Sequence, residues 1–185
     1  MKKTVLTFGL ISGAILSAMM LVTLPFHDSI GFERAEVIGY TTIVAAFLLI
    51  FFGVRSYRDT VSGGTIPFGR AFLVGALIAF VASVCYVVTW QVIYYRLAPD
   101  FGEKYQSHLL DQARRNGESE EAIARKKEEF VRFAELYRNP AFNVAITFLE
   151  PLPIGLVVSL VSAGILSRRR RDPGRTAAAR TMVSA

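Results

Sequence analysis

Ala71–Tyr95 reads AFLVGALIAFVASVCYVVTWQVIYY, 25 residues without a charged side chain. A helix rises about 1.5 Å per residue, so roughly 20 apolar residues cross a hydrocarbon core of about 30 Å. Three more stretches share this character. Thr4–Leu24 holds 21 residues and Val37–Val54 holds 18, both uncharged, while Ala141–Ser167 holds 27 with Glu150 as its one charge. Backbone polar groups in lipid must be satisfied within the segment, which predicts helices. The short alternating strands of a membrane barrel are not found. The expected fold is therefore an all-α integral membrane protein with four transmembrane helices, about 4–24, 37–54, 71–95 and 141–167, within a membrane domain at 1–171.

Composition agrees with that reading. Charged residues make up 19% of the 185-residue chain and hydrophobic ones 52%, whereas soluble domains carry about 25% charge. Half of the charged side chains fall between Arg96 and Arg138. A soluble enzyme, a disordered chain and a disulfide scaffold are thereby disfavoured. Lys2 and Lys3 precede the first apolar run as they would in a signal peptide. That run exceeds the usual length, however, and Leu21-Val22-Thr23-Leu24-Pro25 lacks a small-residue cleavage site, so a retained helix is expected.

Basic residues set the expected orientation. With both termini inside, the cytoplasmic pieces 1–3, 55–70 and 168–185 hold 11 Lys/Arg in 37 residues. The opposite pieces, 25–36 and 96–140, hold 10 in 57. Arg168-Arg169-Arg170-Arg171 is a strong cytoplasmic stop. The expected location is a bacterial inner membrane, multi-pass, with both termini cytoplasmic and residues 96–140 extracytoplasmic. Basic helix flanks account for the net charge of +6, so the bilayer is the expected partner and nucleic acid is not. The tail at 172–185, rich in small residues around Pro173 and Gly174, reads as disordered.

The insert 96–140 contains nine basic and nine acidic side chains. Pro99 ends or bends the third span, and Asn116-Gly117 marks a turn between two helical pieces. In the second piece, Ser119 to Tyr137, the residues Ile123, Phe130, Ala134 and Tyr137 share one face with Phe133 beside them. This stripe suits local packing or a partner protein. Asn139-Pro140 then breaks the chain before the last span.

Recognisable catalytic chemistry is missing. The single cysteine, Cys85, lies in the third span as an apolar filler, and His27 and His108 lack partners at metal-ligand spacing. No phosphate loop, dinucleotide fingerprint or nucleophile elbow occurs. No catalytic, cofactor-binding or metal residue is assigned, no cofactor is expected, and the chain is read as a non-enzyme. Small residues spaced by four do form stripes: Gly9, Gly13 and Ser17; Gly75, Ala79 and Ser83; Gly155, Ser159 and Ala163. Such stripes let helices approach closely, within one chain or in a homodimer.

Glu150 is the candidate intramembrane polar site, together with Pro151 and Pro153. A carboxylate at a helix centre costs roughly 2.5–3.5 kcal/mol on insertion scales. Pro151 and Pro153 lack the N–H groups that would bond the carbonyls of Thr147 and Leu149. Three roles stay open: a protonated plug donating to a freed carbonyl, an anion at a restarted helix N-terminus, and a proton or cation site. Thr41, Tyr86, Thr89 and Gln91 are expected at similar depth, with Arg96 and Arg138 nearer the surface.

Several runs resemble a bacterial membrane family catalogued as domain of unknown function 4199. They are Ile66-Pro67-Phe68-Gly69-Arg70-Ala71-Phe72-Leu73-Val74-Gly75, Tyr94 through Phe101, and Phe148-Leu149-Glu150-Pro151-Leu152-Pro153-Ile154-Gly155 followed by Val157 to Leu160. The resemblance covers roughly 4–171 and implies four membrane helices with an outer insert between the third and fourth. It supplies no activity, ligand or catalytic residue. The functional expectation is a small inner-membrane protein of unknown molecular function, a non-enzymatic accessory or interaction protein with a homodimer or membrane-protein partner left open. The alternative is a small channel or carrier with a proton, ion or solute site near Glu150.

Overall fold

The computed structural model describes residues 1–26 and 30–167. The expectations placed on His27, on Arg168–Arg171 and on the tail at 172–185 lie outside the described residues. Among the described residues seven α-helices follow in order: α1 (Lys2–Thr23), α2 (Phe32–Thr60), α3 (Phe68–Val92), α4 (Phe101–Arg115), α5 (Glu120–Tyr137), α6 (Pro140–Phe148) and α7 (Pro151–Leu166). Among the described residues there is no strand. Four helical units are long and apolar enough to cross a membrane: α1, α2, α3 with its continuation to Leu97, and α6 with α7.

Two spans outrun their apolar segments. α2 begins at Phe32 rather than Val37 and ends at Thr60 rather than Val54. Glu33, Arg34 and Glu36 extend one end, and Arg55, Arg58 and Asp59 the other. Charge excludes these residues from hydrocarbon but does not stop a helix, because the backbone continues its own hydrogen bonding. α3 begins at Phe68, after Pro67 at its N-cap. At its far end the helix widens over Ile93–Leu97 into a π turn. Its last bond runs from the Ala98 N–H to the Ile93 carbonyl at 2.8 Å, just before Pro99 stops the helix.

The core is a bundle in which α2 and α3 each pack on the other and on both flanking spans, α1 and α7. α2 contributes Ile43, Ala46, Phe47, Ile50 and Val54, an i, i+3, i+4 series that is almost fully buried. α3 answers with Ala71, Val74, Ile78, Ala79 and Ala82. The opposite faces carry Leu10, Leu48, Phe52, Phe80, Val88, Val157 and Val161, all exposed. A belt of this kind around a whole bundle requires an apolar solvent.

The small-residue stripes lie at these helix contacts. A Cβ built on Gly9 comes within 2.7 Å of Val81 Cβ, one on Gly13 within 2.6 Å of Cys85 Cβ, and one on Gly75 within 2.9 Å of Ser159 Cβ. A Cβ on Gly155 comes within 2.6 Å of Ala79 Cβ. Ser83 and Ala163 are buried beside them, and the Ser159 Oγ–H donates to the Gly155 carbonyl at 2.7 Å. Ser17, half-buried, accepts from the Thr89 Oγ–H at 2.7 Å, and the Ser12 Oγ–H donates to the Ala46 carbonyl at 3.1 Å. The three stripes thus close on neighbouring spans of the same chain.

The insert is a helical hairpin of α4 and α5. Gly117 at φ +74 closes α4: its N–H bonds the Arg114 carbonyl and the Glu118 N–H bonds the Ala113 carbonyl. That pairing satisfies the last carbonyls and needs a left-handed residue. Ser119 caps α5, accepting from the Ala122 N–H. Leu110, Ala113 and Ile123 form a small core between the two helices. The hairpin rests on the bundle end through aromatic contacts, including Trp90 against Phe101 at 5.2 Å and Phe32 against Tyr105 at 5.4 Å. His108 sits on α4 with its ring 4.9 Å from Phe32. The Gln112 Nε2–H adds a bond to Glu33 at 3.0 Å.

Candidate functional site

The last span is interrupted where the sequence places its prolines. Asn139 caps α6 by accepting from the Ala141 N–H at 2.9 Å, and Pro140 opens the helix. α6 stops at Phe148. The N–H groups of Leu149 and Glu150 turn back to the carbonyls of Ile146 and Thr147, three residues before each. The Thr147 carbonyl, deprived of a donor by Pro151, is thereby met by the Glu150 backbone. Pro151, buried, then starts α7, while Pro153 is exposed.

Glu150 stands at this break, and its carboxylate does not cap α7. It turns toward α3, where the Tyr86 Oη–H donates to Glu150 Oε2 at 2.6 Å. Of the three roles open to Glu150, a plug donating to a freed carbonyl differs from this geometry, whereas Glu150 does stand at the restarted helix N-terminus as the N-cap residue of α7, without a side-chain capping bond. The carboxyl group instead joins the wall of a cavity of about 360 Å³ at the insert end of the bundle.

A second polar cluster buttresses that cavity. The Trp90 Nε1–H donates to Tyr137 Oη at 2.8 Å, and Tyr137 Oη lies 3.3 Å from Thr147 Oγ1. The Thr147 Oγ1–H donates to the Asn143 carbonyl at 2.7 Å, and the Gln91 Nε2–H donates to Asn143 Oδ1 at 2.7 Å. Asn143 is fully buried. The chain of contacts returns to α3, from which Trp90 began it. Burial pushes the Tyr137 phenol above its ordinary pKa, so it acts here as a neutral hydroxyl. α3 supplies Tyr86 and Trp90 four residues apart, and the last span supplies Asn143, Thr147 and Glu150 at spacings of four and three. Those spacings put each set on one helix face.

Tyr86 and Glu150, expected at similar depth, are thus in contact. Gln91 joins the second cluster through Asn143, Thr89 is engaged elsewhere with Ser17, and Thr41 is exposed. Asn143, Trp90, Tyr137 and Glu36 enter the site without having been singled out for it. Counting only charges within spans passes over an asparagine, and Glu36 falls one residue outside the apolar segment. Uncharged polar residues inside the spans were the available signal. Among the described residues no group of three His, Cys, Asp or Glu is arranged to hold a metal ion.

The stripe on α5 is only partly covered, with Phe133 and Ala134 exposed. Phe130, Phe133, Ala134 and Tyr137 face Trp90, Tyr94 and Phe101 across a second cavity of about 360 Å³. Tyr137→Phe should lower stability by about 1 kcal/mol by leaving the Trp90 N–H without its acceptor. The check is thermal unfolding together with fluorescence, since Trp90 is the single tryptophan of the chain. Unchanged unfolding and emission would show that this bond carries no weight.

The model of a family described as "Protein of unknown function (DUF4199)" matches residues 7–168. No curated protein and no solved structure matches the chain.

Proposed function

We infer that this chain, which belongs to the DUF4199 family of proteins of unknown function, is a non-enzymatic accessory protein of a bacterial inner membrane. It holds a small cationic solute at the outer end of its bundle. The observation that carries this reading is the cavity beneath the insert. Glu150 and Glu36 both line it, and no lysine, arginine or histidine does so among the described residues. Ligand sites are usually concave, largely apolar and furnished with a few convergent polar groups, and this one has that character.

Retention is favoured over passage. One turn beyond Glu150 toward the other end of α7, Gly155 packs against Phe47 and Ala79. Phe47, Ile50, Ile78 and Ala79 are fully buried there, and close packing of this kind supports retention. In proteoliposomes the purified protein should bind solute without carrying it across. Flux above that of protein-free vesicles would favour the carrier reading instead.

The orientation that puts the cavity outside rests on Lys2, Lys3, Arg55, Arg58, Arg70 and Arg168–Arg171. A reporter active only outside the cytoplasm should work when fused after Gly117 and be silent after Gly64 or Ser184. The reverse pattern would move the cavity to the cytoplasmic face.

A further inference from the structure

We propose that the solute group held beside Glu150 is an organic ammonium, as a free amine or as a lipid headgroup. This proposal rests on the cation-binding reading above and specifies its chemistry. The cavity is walled by the rings of Tyr40, Tyr86, Trp90 and Tyr105, with the carboxylates of Glu36 and Glu150 set among them. Among the described residues neither carboxylate is paired with a basic side chain. Two carboxyl groups in one cavity with no basic side chain beside them suit a positive ligand.

Its class follows from the walls. An inorganic ion such as Ca²⁺ takes 6–8 oxygen ligands at close range, and Mg²⁺ demands a tight octahedron. A cavity of about 360 Å³ with seven aromatic side chains in its lining among the described residues is wide for such a compact shell and suits a bulkier organic cation. Aromatic faces attract cations through the ring quadrupole, and cages of such rings suit alkylated ammonium groups. Tyr86 is held in place by its bond to Glu150, and Trp90 by its bond to Tyr137. These two rings are therefore set before any ligand arrives, which lowers the ordering cost of binding.

Trp90 lines the cavity and is the only tryptophan in the chain, so its emission reports directly on occupancy. Purified full-length protein in phosphatidylglycerol nanodiscs would be titrated with choline and with ethanolamine. Sodium chloride at matched ionic strength and 3,3-dimethylbutanol, the uncharged isostere of choline, serve as comparisons. At least one ammonium probe should give a saturable change that the isostere does not. Glu150→Gln should weaken it at least tenfold while elution and helical content stay as in wild type. Tyr40→Ala should weaken it as well, since a ring contact is lost without touching either carboxylate.

A second preparation in nanodiscs containing phosphatidylcholine or phosphatidylethanolamine separates the two sources. If the site takes the lipid headgroup, emission there begins at the occupied value and free probe adds nothing. If it takes a free amine, the titration is the same in both lipids. Saturation by sodium as readily as by either ammonium would leave a cation site standing and overturn the ammonium assignment. An equal response to choline and its isostere, or no saturable response to any probe in either lipid, would overturn both. If Glu150→Gln fails to fold, Glu36→Gln takes its place, and unaltered affinity in that variant overturns the proposal.

Discussion

Gly155→Val is expected to prevent the bundle from closing. Gly155 is the fifth residue of α7, where α7 meets α3 and α2. An added Cβ meets the Ala79 Cβ at 2.6 Å, and Phe47 Cε2 lies at 3.1 Å. Ala79 Cβ is fixed to its own helix backbone and cannot rotate away, so α7 and α3 must separate. Separation opens a part of the core where Phe47 and Ala79 are fully buried. Overpacking a core costs about 1–3 kcal/mol, occasionally more, and valine adds two methyl groups beyond the clashing atom. The upper end of that range or beyond is expected, seen as loss of monodisperse protein in detergent and a large fall in thermal midpoint. Gly164→Ala is the internal control. It lies in the same helix with nothing within 4 Å of its built Cβ, and alanine favours a helix by up to about 1 kcal/mol over glycine. It should be neutral or mildly stabilising. Should both variants behave like wild type, the α7–α3 seam is not as close as described.

Asn143→Leu should give the next largest loss. Asn143 is fully buried, accepts from Gln91 on α3 and, through its carbonyl, from Thr147 one turn on. Leucine removes the side-chain acceptor and leaves the Gln91 amide with a donor and no partner. Interhelical hydrogen bonds in membrane proteins are worth about 0.6 kcal/mol on average and up to about 1.7. A stranded donor raises the loss toward the upper value. The telling measurement is a double-mutant cycle. Asn143→Leu with Gln91→Leu should cost clearly less than the sum of the single changes, because replacing both partners removes the stranded group. Strict additivity would mean that the bond contributes nothing to stability.

The insert shows where pattern and packing part. Gly117 and Ser119 mark the turn and cap of the α4–α5 hairpin, and both act through local backbone hydrogen bonding that a few adjacent residues specify. The apolar face of α5 is legible at the same level as Ile123, Phe130, Ala134 and Tyr137. Its neighbours are not. Ile123 meets Leu110 and Ala113, while Tyr137 reaches Trp90 and Thr147. A stripe states that something apolar must cover it, and hydrophobic attraction carries no direction that names the cover.

The spans, their number and the break before α7 were determined by the sequence itself. Long uncharged runs have one inexpensive solution in lipid, an intact helix, and prolines withdraw backbone donors wherever they stand. The stripes of Gly9, Gly13, Gly75 and Gly155 likewise announced close helix contact, because only a missing side chain permits it. Which helices those stripes join, and that they join within the chain, was decided by the tertiary structure. The site was decided there too. Glu150 was conspicuous as a lone charge, but its partner Tyr86 lies 64 residues away. The cavity it shares with Glu36 exists only because α2 extends past its apolar segment while the insert folds over the bundle end. Local chemistry fixes where a helix can run and where it must stop. The company of a half-buried carboxyl group depends on the rotation of each helix about its axis, which is set when all four spans pack at once.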